Sequence, residues 1–261
     1  MDLEITSAFP TLIGQFRVPD AEAMNQDLQA LILADEARYL SLGRSNIGGW
    51  HSRPDFLNRP ESAVGALTTW VIWAVRHMVD ATAGPDAFKG TLSASAWATT
   101  CRAGAYHAPH SHPDSAWSGV YYVDAGTASP DRPLSGVLEF LDPRAGVEAV
   151  SAPGDPYGEP FRVRPEAGLL LVFPSWLYHW VHPYAGQSPR IAVSFNVALS
   201  IPATVKSSIA ETIASSEIET SIAPRCRHNG SHVDVTTEGL DATRRSDAIP
   251  TLTLLKGGQP C

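Results

Sequence analysis

The pattern of the chain changes near residue 92, and that change limits its fold more than any other feature. From about Leu92 to Ser200 the apolar residues fall into short runs: Ala94 to Cys101, Trp117 to Val123, Gly136 to Leu141, Gly168 to Phe173 and Arg190 to Leu199. Gly, Pro, Asp and Ser separate them, and no helical pattern intervenes. Short strands with turn signals and no crossover helices build an antiparallel sandwich or barrel. Upstream the spacing is helical. One helix is expected to open at Pro19-Asp20, carrying Met24, Leu28, Leu31 and Ile32, and a second at Pro60-Glu61-Ser62, carrying Val64, Leu67, Trp70, Val71, Ala74 and Val75. Such helices would buttress one face of the sheet from outside. Between them, Ser45 to Ser52 reads as a glycine-rich loop.

Composition removes several function classes. A hydrophobic content of 44% excludes a disordered chain, and the net charge of -8 comes with no dense cluster among the 19 basic residues, so no nucleic-acid footprint is visible. The three cysteines are scattered, which argues against a disulfide framework. No apolar stretch approaches the roughly 20 residues that span a bilayer. The acidic start, Met1-Asp2-Leu3-Glu4, has no apolar run behind it and does not read as a signal peptide. A cytoplasmic protein is the default expectation. The oxygen-, nitrogen- and acid-bearing residues of the β region therefore carry the search for chemistry.

Residues 1–200 are expected to form one domain with its β core at 92–200. Residues 201–261, rich in Ser, Thr, Ala and Glu, read as an extension: a packing arm or partly mobile tail, or else a lid or the contact of a homodimer. A short helix is expected within them, around Ala203 to Ser215.

Histidine is concentrated in Tyr106 to Asp114 and in Phe173 to Pro183. In an extended chain alternate side chains share a face, so His110, His112 and Asp114 can point the same way. Two members of that row plus His179 would make a three-ligand face on a metal such as Fe(II), leaving the opposite face open for a bidentate molecule and dioxygen. Downstream, Ile191, Val193, Phe195 and Val197 alternate with Arg190, Ala192, Ser194 and Asn196. One row is apolar and suits the core; the other suits a ligand pocket. An arginine in such a pocket needs an anion, because an unpaired buried charge is costly, and its planar fork fits a carboxylate.

Several segments in order carry a family resemblance: Ser45-Asn46-Ile47-Gly48-Gly49-Trp50-His51-Ser52, His110-Ser111-His112-Pro113, Ser118 to Tyr122, Asp142-Pro143-Arg144, Phe173 to Val181, and Arg190 to Asn196. Together they resemble a 2-oxoglutarate/Fe(II) oxygenase family related to the prolyl 4-hydroxylases, over about Phe9 to Leu199. The resemblance implies a double-stranded β-helix (jelly roll, cupin-like), Fe(II), 2-oxoglutarate and O2, with decarboxylation to succinate and CO2. It implies that His179 is the distal iron ligand, that Arg190 pairs with the C5 carboxylate of 2-oxoglutarate, and that Tyr122 helps bind it; Ser194, on the face of Arg190, can add a hydrogen bond. The proximal ligands stay open between two registers. His112, Asp114 and His179 is the slightly preferred set, and His110, His112 and His179 is the competitor.

Weaker expectations complete the set. Arg144 either holds an anionic substrate group or closes a turn through Asp142. Trp50 either walls the substrate mouth with His51 or caps the core, and Asn196 is a candidate substrate contact. His107 and His182 are expected to lie behind the ligands or at the surface. The implied reaction is oxidation of an unactivated C–H bond in a small molecule, amino acid or peptide. Two rivals remain: a cupin-like three-histidine dioxygenase that uses no keto acid, and a non-catalytic jelly-roll binding protein.

Overall fold

The computed structural model describes residues 3–4, 8–127, 129–151, 153, 160–200 and 233–235. Most of the extension, including the expected helix at 203–215, lies outside them. Two helices, α1 (Glu22–Arg38) and α2 (Ser62–Ala83), pack on an antiparallel β structure. The larger sheet contains β1 (Gly14–Arg17), β3 (Trp50–His51), β4 (Thr91–Cys101), β6 (Trp117–Asp124), β9 (Leu169–Pro174), β11 (Arg190–Ser200) and β12 (Val233–Val235). Its order is β1-β9-β6-β11-β4-β12, with β3 pairing beside β4. The smaller sheet is ordered β2-β5-β10-β7-β8, from β2 (Asn46–Ile47), β5 (Tyr106–His110), β7 (Leu138–Phe140), β8 (Phe161–Val163) and β10 (His179–Val181). Facing sheets whose sequence neighbours are mostly not sheet neighbours form the double-stranded β-helix.

Alternation divides the interior into two layers. From the larger sheet, Ala94, Ala96 and Ala98, Trp117, Tyr121 and Val123, Leu170 and Val172, and Ile191, Val193, Phe195 and Val197 turn outward to the helices. They meet Leu28 and Ile32 of α1 and Val64, Leu67, Val71 and Val75 of α2. The opposite faces of the same strands turn inward, so that Val120, Tyr122, Leu171, Phe173 and Ala192 pack against Leu138, Phe140, Val163 and Val181 of the smaller sheet. The row of small alanines on β4 lets the helices approach closely. Apolar area removed from water, at roughly 25 cal/mol per Å², supplies the drive for both layers.

Gly119, at the centre of β6, sits where two neighbours leave no room for a side chain. A Cβ there would collide with the Leu171 carbonyl oxygen and the Phe195 ring. Both belong to the buried core, so neither can swing away. Gly119→Ala is expected to cost about 1–3 kcal/mol, as overpacking does, measured by urea unfolding.

The segment from Ser45 to Ser52 differs from the loop expected of it. Its two short strands enter different sheets: Asn46 and Ile47 pair with His107 and Tyr106, while Trp50 and His51 pair with Thr100 and Thr99. Two-residue strands are too short to show a period, and the glycine pair masked them. Gly48 takes a φ of 71°, a left-handed turn that glycine adopts without a Cβ clash. Asn46 stabilises the turn by donating to the Gly49 carbonyl at 2.9 Å.

Candidate metal and cosubstrate site

A cavity of about 730 Å³ opens between the two sheets. Its walls come from the inward rows of β4 (Ser95, Trp97, Thr99), β6 (Val120, Tyr122) and β11 (Arg190, Ala192, Ser194, Asn196), with His107 and His110 of β5 and His179 of β10. The polar row expected on β11 thus lines the cavity, and its apolar partners lie in the helix-facing core.

Three imidazoles meet at the cavity wall. One ring nitrogen from each of His110, His112 and His179 lies within 4.8 Å of the others, and among the described residues this is the only such group able to hold a metal. Strand pairing sets two of them opposite each other, His179 against His110. The backbone N–H of His112 donates to the Ser175 carbonyl at 2.9 Å, which ties the third to the loop before β10. His110 Nδ1 lies 2.7 Å from the Ala108 carbonyl and His179 Nδ1 2.8 Å from the Leu177 carbonyl. A carbonyl can only accept, so both rings carry their proton on Nδ1 and present the Nε2 lone pair. That tautomer is the one a metal ligand needs, and fixing it from behind is how ligating histidines are oriented.

Asp114 lies outside this group. The extended chain ends at His110, and the two-residue alternation does not run on through the following turn. Asp114 itself has a φ of 67°, in the left-handed region, and is exposed at the cavity edge.

Burial keeps the imidazoles neutral. It lowers His112 to about 3, helped by the neighbouring His179 and His110, and lowers His179 to about 4, helped by His110. His107 falls to about 3 through burial and then the charge of Arg190. The sign of the consequence is definite. The unfolded chain takes up protons as pH falls through 6.5, and the folded chain does not until far lower, so stability present above pH 6.5 is lost toward pH 4. Each of these histidines is expected to cost the metal-free protein about 2 kcal/mol near pH 5. A melting temperature of metal-free protein that did not fall between pH 7 and pH 5 would contradict this.

The deep end of the cavity holds a cation without a counter-ion. Arg190 is 2% exposed, and among the described residues no carboxylate pairs with it. Its guanidinium lies over the Tyr122 ring at 5.0 Å. Arg190 Nε and the Tyr122 hydroxyl are both buried with no hydrogen-bond partner. Burial raises the pKa of that hydroxyl, against the pull of Arg190, so it remains a donor. Two unspent donors in a dry pocket are the complement of a carboxylate. These buried groups and the three lone pairs fit a metal ion with a bidentate acid beside it.

The remaining candidates separate. Ser194 lines the cavity on the face of Arg190, and Asn196 lines it with its Oδ1 accepting from Ser118 Oγ at 2.8 Å. Trp50 packs in the helix-facing core and donates Nε1–H to the Tyr39 carbonyl, whereas His51 lines the cavity. Arg144 forms a two-pronged pair with Asp142, at 3.0 and 2.7 Å, on the exposed turn they share. His182 lies behind β10, 3.1 Å from Glu139, which also accepts from Trp180 and Arg162. Burial opposes ionisation of Glu139, but these hydrogen bonds outweigh it and hold its pKa below the ordinary value.

His107, expected behind the ligands or at the surface, lines the cavity, as does Trp97, which sequence reading missed. β5 pairs with β10 through a bulge, four residues from His107 to His110 opposing three from Val181 to His179, so both histidines turn inward. Nothing in the sequence marks that bulge. Trp97 did have a signal, the alanine row beside it on β4.

Fold and site together define a jelly roll with a three-histidine cluster that could hold a metal and a buried arginine in the same cavity. Residues 95–196 match the family described as "Putative 2OG-Fe(II) oxygenase", and the enzyme class this indicates is a 2-oxoglutarate/Fe(II)-dependent oxygenase. No curated protein matches the sequence. Among solved structures it is similar to a Pseudomonas putida prolyl-4-hydroxylase (18% identity, 71% of this chain and 91% of that one, TM-score 0.50). It is similar also to a Trichoplax adhaerens prolyl hydroxylase in complex with a hypoxia inducible factor peptide fragment (15%, 71% and 83%, TM-score 0.50). A third likeness is to HygX from Streptomyces hygroscopicus with nickel, 2-oxoglutarate and hygromycin B (10%, 72% and 83%, TM-score 0.50). At these identities the likenesses establish the fold alone. None of the described helices is long and apolar enough to cross a membrane.

Proposed function

We propose that His110, His112 and His179 hold Fe(II), that Arg190 and Tyr122 hold the C5 carboxylate of 2-oxoglutarate, and that the enzyme oxidises a C–H bond of a small molecule, amino acid or peptide. The observation that carries this reading is Arg190, a buried cation at the closed end of a cavity whose nearer wall carries the histidines. Bound Fe(II) and 2-oxoglutarate supply the oxidising chemistry, in which the keto acid is decarboxylated to succinate and CO2 as dioxygen is consumed.

The protein's own part is placement. Arg190 offers a planar fork to one carboxylate, and Tyr122 adds a hydroxyl donor from the adjacent strand. Ser194 faces the same space. The Ala108 and Leu177 carbonyls hold the protons of His110 and His179 on Nδ1 and leave each Nε2 free to ligate. Val120, Leu138, Phe173 and Val181 line the interior and exclude water from the bound acid.

The test is stoichiometric. Protein reconstituted with Fe(II) is expected to release succinate in proportion to 2-oxoglutarate consumed, with residual turnover even before a substrate is found. A three-histidine dioxygenase that needs no keto acid would instead take up oxygen with 2-oxoglutarate absent. That reading leaves the orphaned donors of Arg190 and Tyr122 unexplained.

A further inference from the structure

The cavity wall carries a second arginine, Arg44, whose side chain is exposed. Trp97 links His112 to His51: its ring is 5.6 Å from that of His112 and stacks with His51 at 5.6 Å and 10°. His51 is set with its Nδ1 2.6 Å from the Ser52 carbonyl, which places the proton on Nδ1 and leaves Nε2 as an acceptor. Arg44 lines the same cavity, and after burial its charge helps keep His51 neutral. Its backbone is fixed. The Arg44 backbone N–H donates to Asn46 Oδ1 at 2.9 Å, and Asn46 is buried and bonded on to Gly49. Among the described residues the Arg44 guanidinium has neither an ion pair nor a hydrogen bond.

Charge balance gives this arginine a meaning. The chain as a whole is at -8, yet the charged residues among the cavity's described walls are Arg44, Arg190 and Asp114. A divalent metal on three neutral imidazoles keeps its full charge, which a carboxylate ligand would have reduced. The 2-oxoglutarate dianion offsets the metal's two charges and Asp114 offsets one arginine. One positive charge is left over.

We propose that the mouth of the cavity is an anion subsite, and that the oxidised substrate is a small molecule bearing an oxyanion group, held by Arg44 with its body along Trp97 toward the metal-site histidines. The inference rests on the 2-oxoglutarate reading for its charge count, but the anion preference itself requires no turnover.

Mn(II) serves as a paramagnetic, redox-inert stand-in, with 2-oxoglutarate saturating. Proton relaxation of two matched pairs is then measured with the protein: N-acetylphenylalanine against its carboxamide, and phenyl phosphate against phenol. The charged member of at least one pair is expected to relax at least about tenfold more than its neutral partner, the worth of one charge-assisted hydrogen bond. Whichever pair responds identifies the oxyanion. Arg44→Gln is expected to remove the preference and Arg44→Lys to retain part of it. Equal relaxation within both pairs, no relaxation of either anion, or a preference that survives Arg44→Gln overturns the proposal. If 2-oxoglutarate itself fails to bind in these samples, the cosubstrate assignment falls, while an Arg44-dependent preference would still establish the subsite.

Discussion

His110→Ala and His179→Ala are each expected to abolish stable Fe(II) binding, whereas Asp114→Ala leaves it intact. The geometry gives the reason. The three imidazoles form one cluster, with protons fixed on Nδ1 in two of them, and Asp114 stands on a left-handed turn at the edge. Loss of a partner that merely orients a ligand already lowers metal affinity by about 10- to 100-fold, and loss of a ligand exceeds that. Succinate formation is therefore expected to fall by more than about 100-fold in His110→Ala and His179→Ala. Equilibrium dialysis against Fe(II), followed by a succinate assay, checks both halves. An Asp114→Ala protein that loses its iron would restore the carboxylate register.

The second large effect concerns Arg190. Arg190→Met is expected to raise the apparent KM for 2-oxoglutarate by on the order of 100-fold or more, because two charge-assisted hydrogen bonds are worth about 3 kcal/mol or more. Tyr122→Phe, which removes one neutral donor, is expected to raise it about fivefold. The same Arg190→Met change is expected to stabilise the ligand-free protein. A buried cation lacking a counter-ion is a standing cost, and a methionine of similar length fills the space without it. Opposite signs in two assays on one variant separate a ligand-binding arginine from a structural one. A structural arginine would lower the melting temperature.

Much of this was legible in the sequence because β-strand alternation has a short, rigid period. The two rows of Arg190 to Val197 sort one to the helix core and one to the cavity, as their chemistry requires. Leu28, Ile32, Val64, Leu67, Val71 and Val75 sit buried on the helices at the expected spacing. Legibility failed where the period breaks. The β5 bulge, the two-residue strands β2 and β3 and the left-handed turn at Asp114 break the period over a few residues each. Alternation carried past His110 puts Asp114 on the ligand face; the turn removes it. Arg44 escaped notice for another reason. It shares the cavity with His51 and Trp97, which come from separate strands, β3 and β4, that pair side by side.

An anaerobic titration of the metal-free protein with Fe(II) and 2-oxoglutarate, followed by visible absorption, tests the three-histidine, keto-acid site most directly. The weak band given by Fe(II) chelated by a keto acid is expected in the native protein and in Asp114→Ala, lost in His110→Ala, and in Arg190→Met seen only at far higher 2-oxoglutarate. A band that disappears in Asp114→Ala and survives in His110→Ala would contradict the ligand set. Iron bound with no band at any 2-oxoglutarate concentration would contradict the cosubstrate.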